Sequence, residues 1–419
     1  MSVEQAVVTI VGGGPAGAAT ALGLCAAGIA PADIVLLDRA VFPRPKLCGG
    51  GVTHRGTQLL ATLLPDVFST ATPPDGVRTV GLDFQCRLGR FPVREVGEQW
   101  VFDRFDLDDR LLRAAQEKGV RVSMGAAVRS VQRRGERFVI EHRGGAVKSP
   151  WLVGADGARG VIGRTFGLTG ASARHAGRVG RLVEAVYRAT RRARPTPERL
   201  IFDFDPIFEG IPGYGWIFPA SDGEHFKIGV MDGRGVCEGR QLRAWTERFA
   251  RTHGYERVES KIAGWPEHYL SPKTRAHLPG LVLVGESWGV DPLLGEGIAP
   301  ALEMAAYAAP RLAEAIREGT RRIPHYERDF LRSRAGRNLR FQGVLADLLY
   351  GPSGLRWARV LFDHAYMREL AASGEASYGR LVRYLPQLVL RYACQVAMHG
   401  LPKAAGTRTL EERGRQARA

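Results

Sequence analysis

No run of about 18 uncharged apolar residues exists in this 419-residue chain, so no segment is expected to cross a bilayer as a helix. A secretory leader is not visible either. The chain passes from Met1 almost directly into the strand-like run Ala6–Val11, with no basic stretch followed by a signal core. Cysteine is scarce: Cys25, Cys48, Cys86, Cys237 and Cys394 form no CxxC pair and leave one over. That pattern argues for a reduced, cytoplasmic setting and against a zinc site, and no metal is expected. Acid falls short of base, with 43 Asp and Glu against 59 Lys and Arg and a net charge of +16. Such a balance suits nucleic acid, an anionic lipid surface or an acidic substrate. No nucleic-acid-binding motif accompanies it, so nucleic acid is not expected as a partner. Peripheral contact with an anionic membrane fits better, and a merely solvated Arg-rich surface fits better still. Internal repeats and low-complexity segments are also missing.

What is present is the composition of a globular protein, 45% hydrophobic and 24% charged, long enough for two or three lobes. Ala6–Val11 reads as a buried strand, Gly12–Gly17 as a glycine-rich turn, Ala18–Ala27 as a helix of small residues, and Ile34–Leu37 as a second strand ending at Asp38. Together they form a βαβ unit. Gly12, Gly14 and Gly17 fit GxGxxG between strand and helix. The first glycine permits the turn, the second lets backbone reach a pyrophosphate, and the third lets helix and strand pack closely. The helix N-terminus then offers free N–H groups to the phosphates. Asp38 stands about twenty residues on, where an acid can bond a ribose hydroxyl. The set predicts an adenine dinucleotide without separating NAD from FAD.

Two later segments separate them. Gly154-Ala155-Asp156-Gly157 follows a strand-like run. Leu281–Val284 is followed by Gly285-Glu286-Ser287-Trp288-Gly289, Asp291-Pro292 and Gly295-Glu296-Gly297-Ile298. These segments resemble the GADG and GDAAG…P…GEGI motifs of the large FAD family that includes aromatic hydroxylases, halogenases and geranylgeranyl reductases. Arg104, ahead of Phe105-Asp106, matches the arginine of that family's R-x-F-D segment. The likeness covers most of residues 6–310. It implies an α/β fold: a Rossmann-like FAD-binding domain, a β-sheet substrate domain and a helical C-terminal part. Mapped onto this chain, it implies FAD contacts from Gly12, Gly14, Pro15, Ala16, Gly17, Asp38, Arg39, Lys46, Cys48, Gly49 and Gly50. It further implies contacts from Arg104, Val128, Asp156, Glu286, Gly295, Gly297 and Ile298. One departure stands out. Glu286 replaces the family's aspartate, and Ser287 and Trp288 replace small residues, with Trp288 free to pack near the flavin or to fill a gap.

A narrower resemblance follows from two further runs. Arg44-Pro45-Lys46-Leu47-Cys48-Gly49-Gly50-Gly51 is similar to the K-x-CGGG segment of geranylgeranyl reductases, and Tyr214-Gly215-Trp216-Ile217-Phe218-Pro219 to their YxWxFP segment. From the residues themselves, three glycines let backbone lie against a flat ring. Cys48 there could pass a proton, form an adduct or simply pack. The aromatic run reads as a strand lining a pocket or as ordinary core. Halogenases carry WxWxIP, and Tyr214 and Phe218 depart from it. The resemblance implies an FAD-dependent reductase of isoprenoid double bonds, with Cys48, Tyr214 and Trp216 as catalytic candidates. A monooxygenase or halogenase acting on an aromatic or prenylated compound is the alternative, and a prenyl-binding protein without FAD lies outside the enzyme class. The implied partners are a hydrophobic small-molecule substrate and an external electron donor, which the sequence does not name: NAD(P)H, a redox protein such as ferredoxin, or a quinol.

The expected layout is a discontinuous FAD domain (1–75, 100–165, 271–335), a sheet domain (76–99, 166–270) and a helical region (336–419). In the last, Leu381, Leu385, Leu388, Tyr392 and Val396 recur at helical steps among Arg380, Arg383 and Arg391. This reads as a helix packed on the body or as a basic amphipathic face, and Pro386 should kink or interrupt it.

Overall fold

The computed structural model describes residues 3–65, 76–93, 97–169, 179–194, 198–363, 367 and 378–399. The tail 400–419 and the side chain of Leu381 lie outside the described residues. The principal helices are α1 (Pro15–Ala26), α2 (His54–Leu63), α3 (Arg104–Glu117), α4 (Gly239–Thr252), α5 (Ile298–Arg317), α6 (Tyr326–Arg332), α7 (Arg334–Leu349), α8 (Gly354–Phe362) and α9 (Tyr378–His399).

One sheet has the order His277–Leu278, Leu281–Leu283, Trp151–Gly154, Val8–Val11, Ile34–Leu37, Arg121–Ser123, and all its pairings but the first are parallel. Segments far apart in the chain therefore meet in one layer. Val8–Val11, Ile34–Leu37 and Trp151–Gly154 are buried at every position. That is what an apolar run without alternation demands, since a parallel sheet is covered on both faces. Helix α1 is made mostly of small residues and packs against α5 closely enough that a Cβ on Gly23 would lie 2.8 Å from the Ala309 Cβ.

The second sheet is mixed and larger. Its order is Tyr255–Arg257, Val179–Ala189, His225–Asp232, Gly213–Pro219, Arg199–Asp203, Gly81–Cys86, Gly89–Val93, and Ala263–His268 also pairs with Val179–Ala189. Strand alternation assigns the two faces of Gly213–Pro219. Ile217 joins Trp245 and Phe249 of α4, and Gly215 gives room to the Trp245 ring. Tyr214, Trp216 and Phe218 all join the opposite cluster, with Phe202, Phe204 and residues of α7 and α8.

Helix α9 runs through Pro386 without the interruption expected. The proline is exposed, so water can meet the carbonyl it leaves unpaired. The expected apolar face also divides. Leu388 is buried and Tyr392 stacks on Trp357 (4.5 Å, 15°), whereas Leu385 is 43% exposed. Trp288 does not approach the glycine loop. It is fully buried against α6, with ring centroids 4.8 Å from Phe330 and 5.6 Å from Tyr326.

Candidate functional site

The site begins where Val8–Val11 ends. Gly12 has φ of 109°, and a Cβ there would overlap the Ala155 carbonyl. A Cβ on Gly17 would overlap the Gly12 carbonyl. These contacts bring the first loop, α1 and the 154–157 loop together without side chains. Gly14 differs, since its side-chain position is open to within 3.7 Å of Arg44 Nη2. It is the N-cap of α1 and supplies no side-chain cap, which leaves the first N–H groups of the helix for an anion. Pro15 and Ala16 open the helix and are buried. Asp38 accepts from Gly13 N and Ala40 N, each at 2.7 Å, which fixes the carboxylate beside the loop with lone pairs to spare. Arg39 next to it is exposed. Val128 begins the strand Val128–Arg134, two residues beyond Ala126, whose N–H bonds the Asp38 carbonyl.

Over the glycine loop stands an arginine pair sharing one acid. Arg104, at the start of α3, bonds Asp108 through Nε and Nη2, both at 2.7 Å, and Arg44 Nη2 lies 3.1 Å from the same carboxylate. Burial by itself would lower Arg104, but Asp108 and the Cys48 thiol beside it hold the guanidinium above its usual range. Arg104 is thereby spent on protein partners. Arg44 is not: its Nη1 is buried with no hydrogen-bond partner among the described residues. An orphaned buried guanidinium nitrogen beside an uncapped helix N-terminus is what a pyrophosphate would satisfy.

The second wall comes from the loops after the other strands. Asp156 accepts from Val161 N (2.5 Å), Ile162 N (3.0 Å) and Ser287 Oγ (3.0 Å), and Gly157 N donates to the same Ser287 oxygen at 2.9 Å. Asp156 thus ties two motif loops together rather than presenting a free carboxylate, and burial raises its affinity for a proton. Glu286 is partly buried, and desolvation raises its carboxyl while Lys46 opposite lowers it. Lys46 in turn is lowered by burial, with Glu286 opposing, and its ammonium sits 4.3 Å from the Trp265 ring centroid. Arg159 also stacks on that ring, at 4.2 Å. Glu267, next to His268 whose N–H reaches Glu286, is partly buried. Gly295 and Gly297 lead into α5, whose first residue Ile298 is buried and whose N-terminus again lacks a side-chain cap. Glu296 accepts from Thr53 N at 3.1 Å and is pushed up to about 7 by burial. Asp291 accepts from Leu293 N and Leu294 N and is pushed up to about 6 for the same reason.

Between the walls lies the loop Cys48–Gly51. Its glycines do approach a flat ring, and that ring is Phe218. A Cβ on Gly49 would come 2.7 Å from it, and one on Gly51 3.3 Å. Cys48 Sγ accepts from Gly50 N at 3.4 Å. Tyr214 donates its hydroxyl to the Leu294 carbonyl at 2.5 Å, and Trp216 Nε1 donates to the buried Glu184 at 3.0 Å. Burial raises Glu184 in spite of Lys227. The polar atoms of both aromatic candidates are therefore committed to protein partners. The structure gathers Lys46, Cys48, Gly49, Gly50, Arg104, Glu286 and Gly295 around one space and sets Asp38, Arg39 and Val128 at the far end of the glycine loop. Arg44, Trp265, Glu267 and Ser287 join the site without having been singled out. Arg44 and Ser287 did lie in quoted segments, the one ahead of the K-x-CGGG run and the other in the Gly285–Gly289 motif, whereas Trp265 and Glu267 carried no signal. Two surface hollows, one at Asp83, Arg90, Pro92 and Arg199 and one at Arg275, His277 and Arg322, lie elsewhere and share no residue with this constellation.

The glycine cradle, two uncapped helix N-termini, the fixed Asp38 and the unpartnered Arg44 nitrogen fit the pyrophosphate and ribose of a dinucleotide. The comparisons with known proteins agree. An FAD binding domain family model matches residues 5–201. Menaquinone reductase of Mycolicibacterium smegmatis is 30% identical, over 73% of this chain and 76% of that protein. Digeranylgeranylglycerophospholipid reductase 2 of Methanothermobacter thermautotrophicus is 29% identical, over 79% of this chain and 84% of that one. The same fold occurs in a geranylgeranyl bacteriochlorophyll reductase-like protein from Thermoplasma acidophilum, with a TM-score of 0.69 and 18% identity over 95% of this chain and 100% of that one. The chain belongs to the geranylgeranyl reductase family of FAD-dependent oxidoreductases, within the aromatic-hydroxylase-like flavoproteins.

Proposed function

We propose that this enzyme saturates a carbon–carbon double bond in the isoprenoid chain of a prenyl lipid or prenylquinone. The observation that carries the reading is the aromatic layer beside the Cys48–Gly51 loop. Phe202 lies 5.2 Å from Phe218 and 5.6 Å from Tyr214, and Phe204 lies 5.1 Å from Phe362, centroid to centroid. Such a wall offers dispersion and exclusion of water to a hydrocarbon. The names of the two relatives support it, since both denote lipids that carry isoprenoid chains. Bound FAD, once reduced, supplies the hydride equivalent. The protein orients the chain, keeps water out and delivers a proton. Cys48 is one candidate for that delivery, placed where it touches both the Gly50 N–H and Arg104.

Supply of substrate and electrons belongs to the same reading. Helix α9 turns Leu385, Val389 and Leu390 outward, at 43%, 50% and 66% exposure, between Arg383 and Arg391, and the helix contains no acid. Its buried Leu388 belongs to the aromatic cluster. An anionic bilayer matches that face, and the substrate would enter from it. The electron donor is NAD(P)H or a redox protein.

The test is anaerobic incubation of the reduced holoenzyme with a prenyl diphosphate, a prenyl glycerolipid and a prenylquinone, followed by mass spectrometry. Gain of one hydrogen pair per bond is expected for at least one of them. Failure to saturate any, or an oxygenated or halogenated product under oxygen, overturns the reading in favour of a monooxygenase or halogenase.

A further inference from the structure

Glu267 has no part in the cradle that would hold the dinucleotide. It lies on the strand Ala263–His268, in register with Gly180 of the neighbouring strand, yet its side chain points to the motif loops. Its Oε2 is 2.6 Å from the point where a Gly295 side chain would begin, so the carboxyl rests directly on the loop that opens α5. Tyr269 donates its hydroxyl to the same oxygen at 3.2 Å. Glu286 and Lys46 face it across the site, with Asp291 behind. Two partly buried carboxyls that share one ammonium do not both reach the charged state cheaply.

Several other polar groups of the site are held by protein partners. The Tyr214 hydroxyl is spent on Leu294. Cys48 uses its sulfur as acceptor toward Gly50 and Arg104. Glu286 receives the His268 N–H. Asp156 accepts from two backbone donors and Ser287, and Asp291 from two backbone donors.

We propose that the Glu267 carboxyl, seated on Gly295 between Tyr269 and the Lys46–Glu286 pair, is the group that delivers the proton completing reduction of the substrate double bond. The inference rests on the reductase reading above. In balance, the alkene gains a hydride equivalent from reduced FAD at one carbon and the Glu267 proton at the other. Both new C–H bonds replace the π bond, and the carboxylate left behind recovers its proton from solvent. Desolvation raises the Glu267 carboxyl well above the ordinary range, Glu286 raises it further, and Lys46 and the Tyr269 hydrogen bond oppose, a shift in the direction a proton donor needs.

The experiment compares purified wild-type holoenzyme with Glu267→Gln and Glu267→Asp. Each is checked first for FAD content and for reduction of the flavin by dithionite, both expected to be unchanged. Product formation should fall about 100-fold or more in Glu267→Gln. It should recover in part in Glu267→Asp, with a shifted pH profile. A second readout does not depend on turnover. A carboxyl whose affinity for a proton is raised by folding contributes stability below its unfolded range that is lost as pH rises. The melting temperature of wild type should therefore fall relative to Glu267→Gln as pH rises above the ordinary carboxylate range. Parallel melting curves, or wild-type turnover in Glu267→Gln by an enzyme that does saturate its substrate, overturn the proposal alone. Failure of wild type itself to saturate any prenyl substrate overturns both it and the reductase reading.

Discussion

The two walls of the site are built by different means. On the nucleotide side backbone does the work: Gly12 and Gly17 bring strand, helix and the Ala155 loop into contact, and the first turn of α1 is left uncapped. On the other side the contacts are made by side chains from remote strands, Trp265 under Lys46 and Arg159, Glu267 on Gly295, and Phe218 against Gly49. A backbone-built wall tolerates no added atoms where backbone meets backbone, as at Gly12 and Gly17. A side-chain-built wall tolerates repacking but carries buried charge, so its integrity depends on protonation.

The largest effect expected from breaking this contrast is at Gly17. Gly17→Val places a branched side chain into the Gly12 carbonyl and should give protein that purifies without flavin absorbance, whatever the state of the aromatic wall. Next comes Arg44, whose guanidinium has a buried nitrogen without a partner beside the backbone wall. Arg44→Ala should weaken FAD by about 1–3 kcal/mol, roughly 5- to 150-fold, by fluorescence titration of the released flavin. Arg44→Lys should restore only part, because a point charge replaces a fork. A smaller effect is expected from pH. Asp291 and Glu296 are raised by burial to about 6 and about 7. Their contribution to stability is full below the unfolded carboxyl range and is lost as pH rises through 6 to 7. Melting curves should decline over that window and flatten in Glu296→Gln. The smallest change belongs to the surface. Leu390→Ser should leave stability within about 0.5 kcal/mol and FAD content unchanged, while lowering cosedimentation with anionic vesicles.

How much of this was legible in the sequence follows from the same contrast. The glycine loop could be read because it obeys a local rule, strand, tight turn and helix, that leaves a fixed spacing. The aromatic run Tyr214–Pro219 could be read as a strand, and alternation even assigns Tyr214, Trp216 and Phe218 to one face. Their roles could not be read, since the Tyr214 hydroxyl and the Trp216 N–H meet Leu294 and Glu184, 80 and 32 residues away. Trp288 sat inside a cofactor motif and yet faces the α6 core, because the short helical turn Gly285–Ser287 directs it to the far side of the loop. Glu267 had no signal at all. One acid on an irregular strand acquires meaning only when the Gly295 loop folds onto it.

The sequence by itself determined the cofactor class, the parallel βαβ core and the positions where backbone must approach backbone, since each of these follows from residue type and spacing within a few turns of chain. Tertiary structure alone decided which polar groups are spent and which are left over. Arg104 and Arg44 are alike as residues, but sharing Asp108 satisfies the first and leaves a buried nitrogen of the second without a partner. Burial and proximity across the fold set hydrogen bonds and proton affinity, and neither is a property of local sequence.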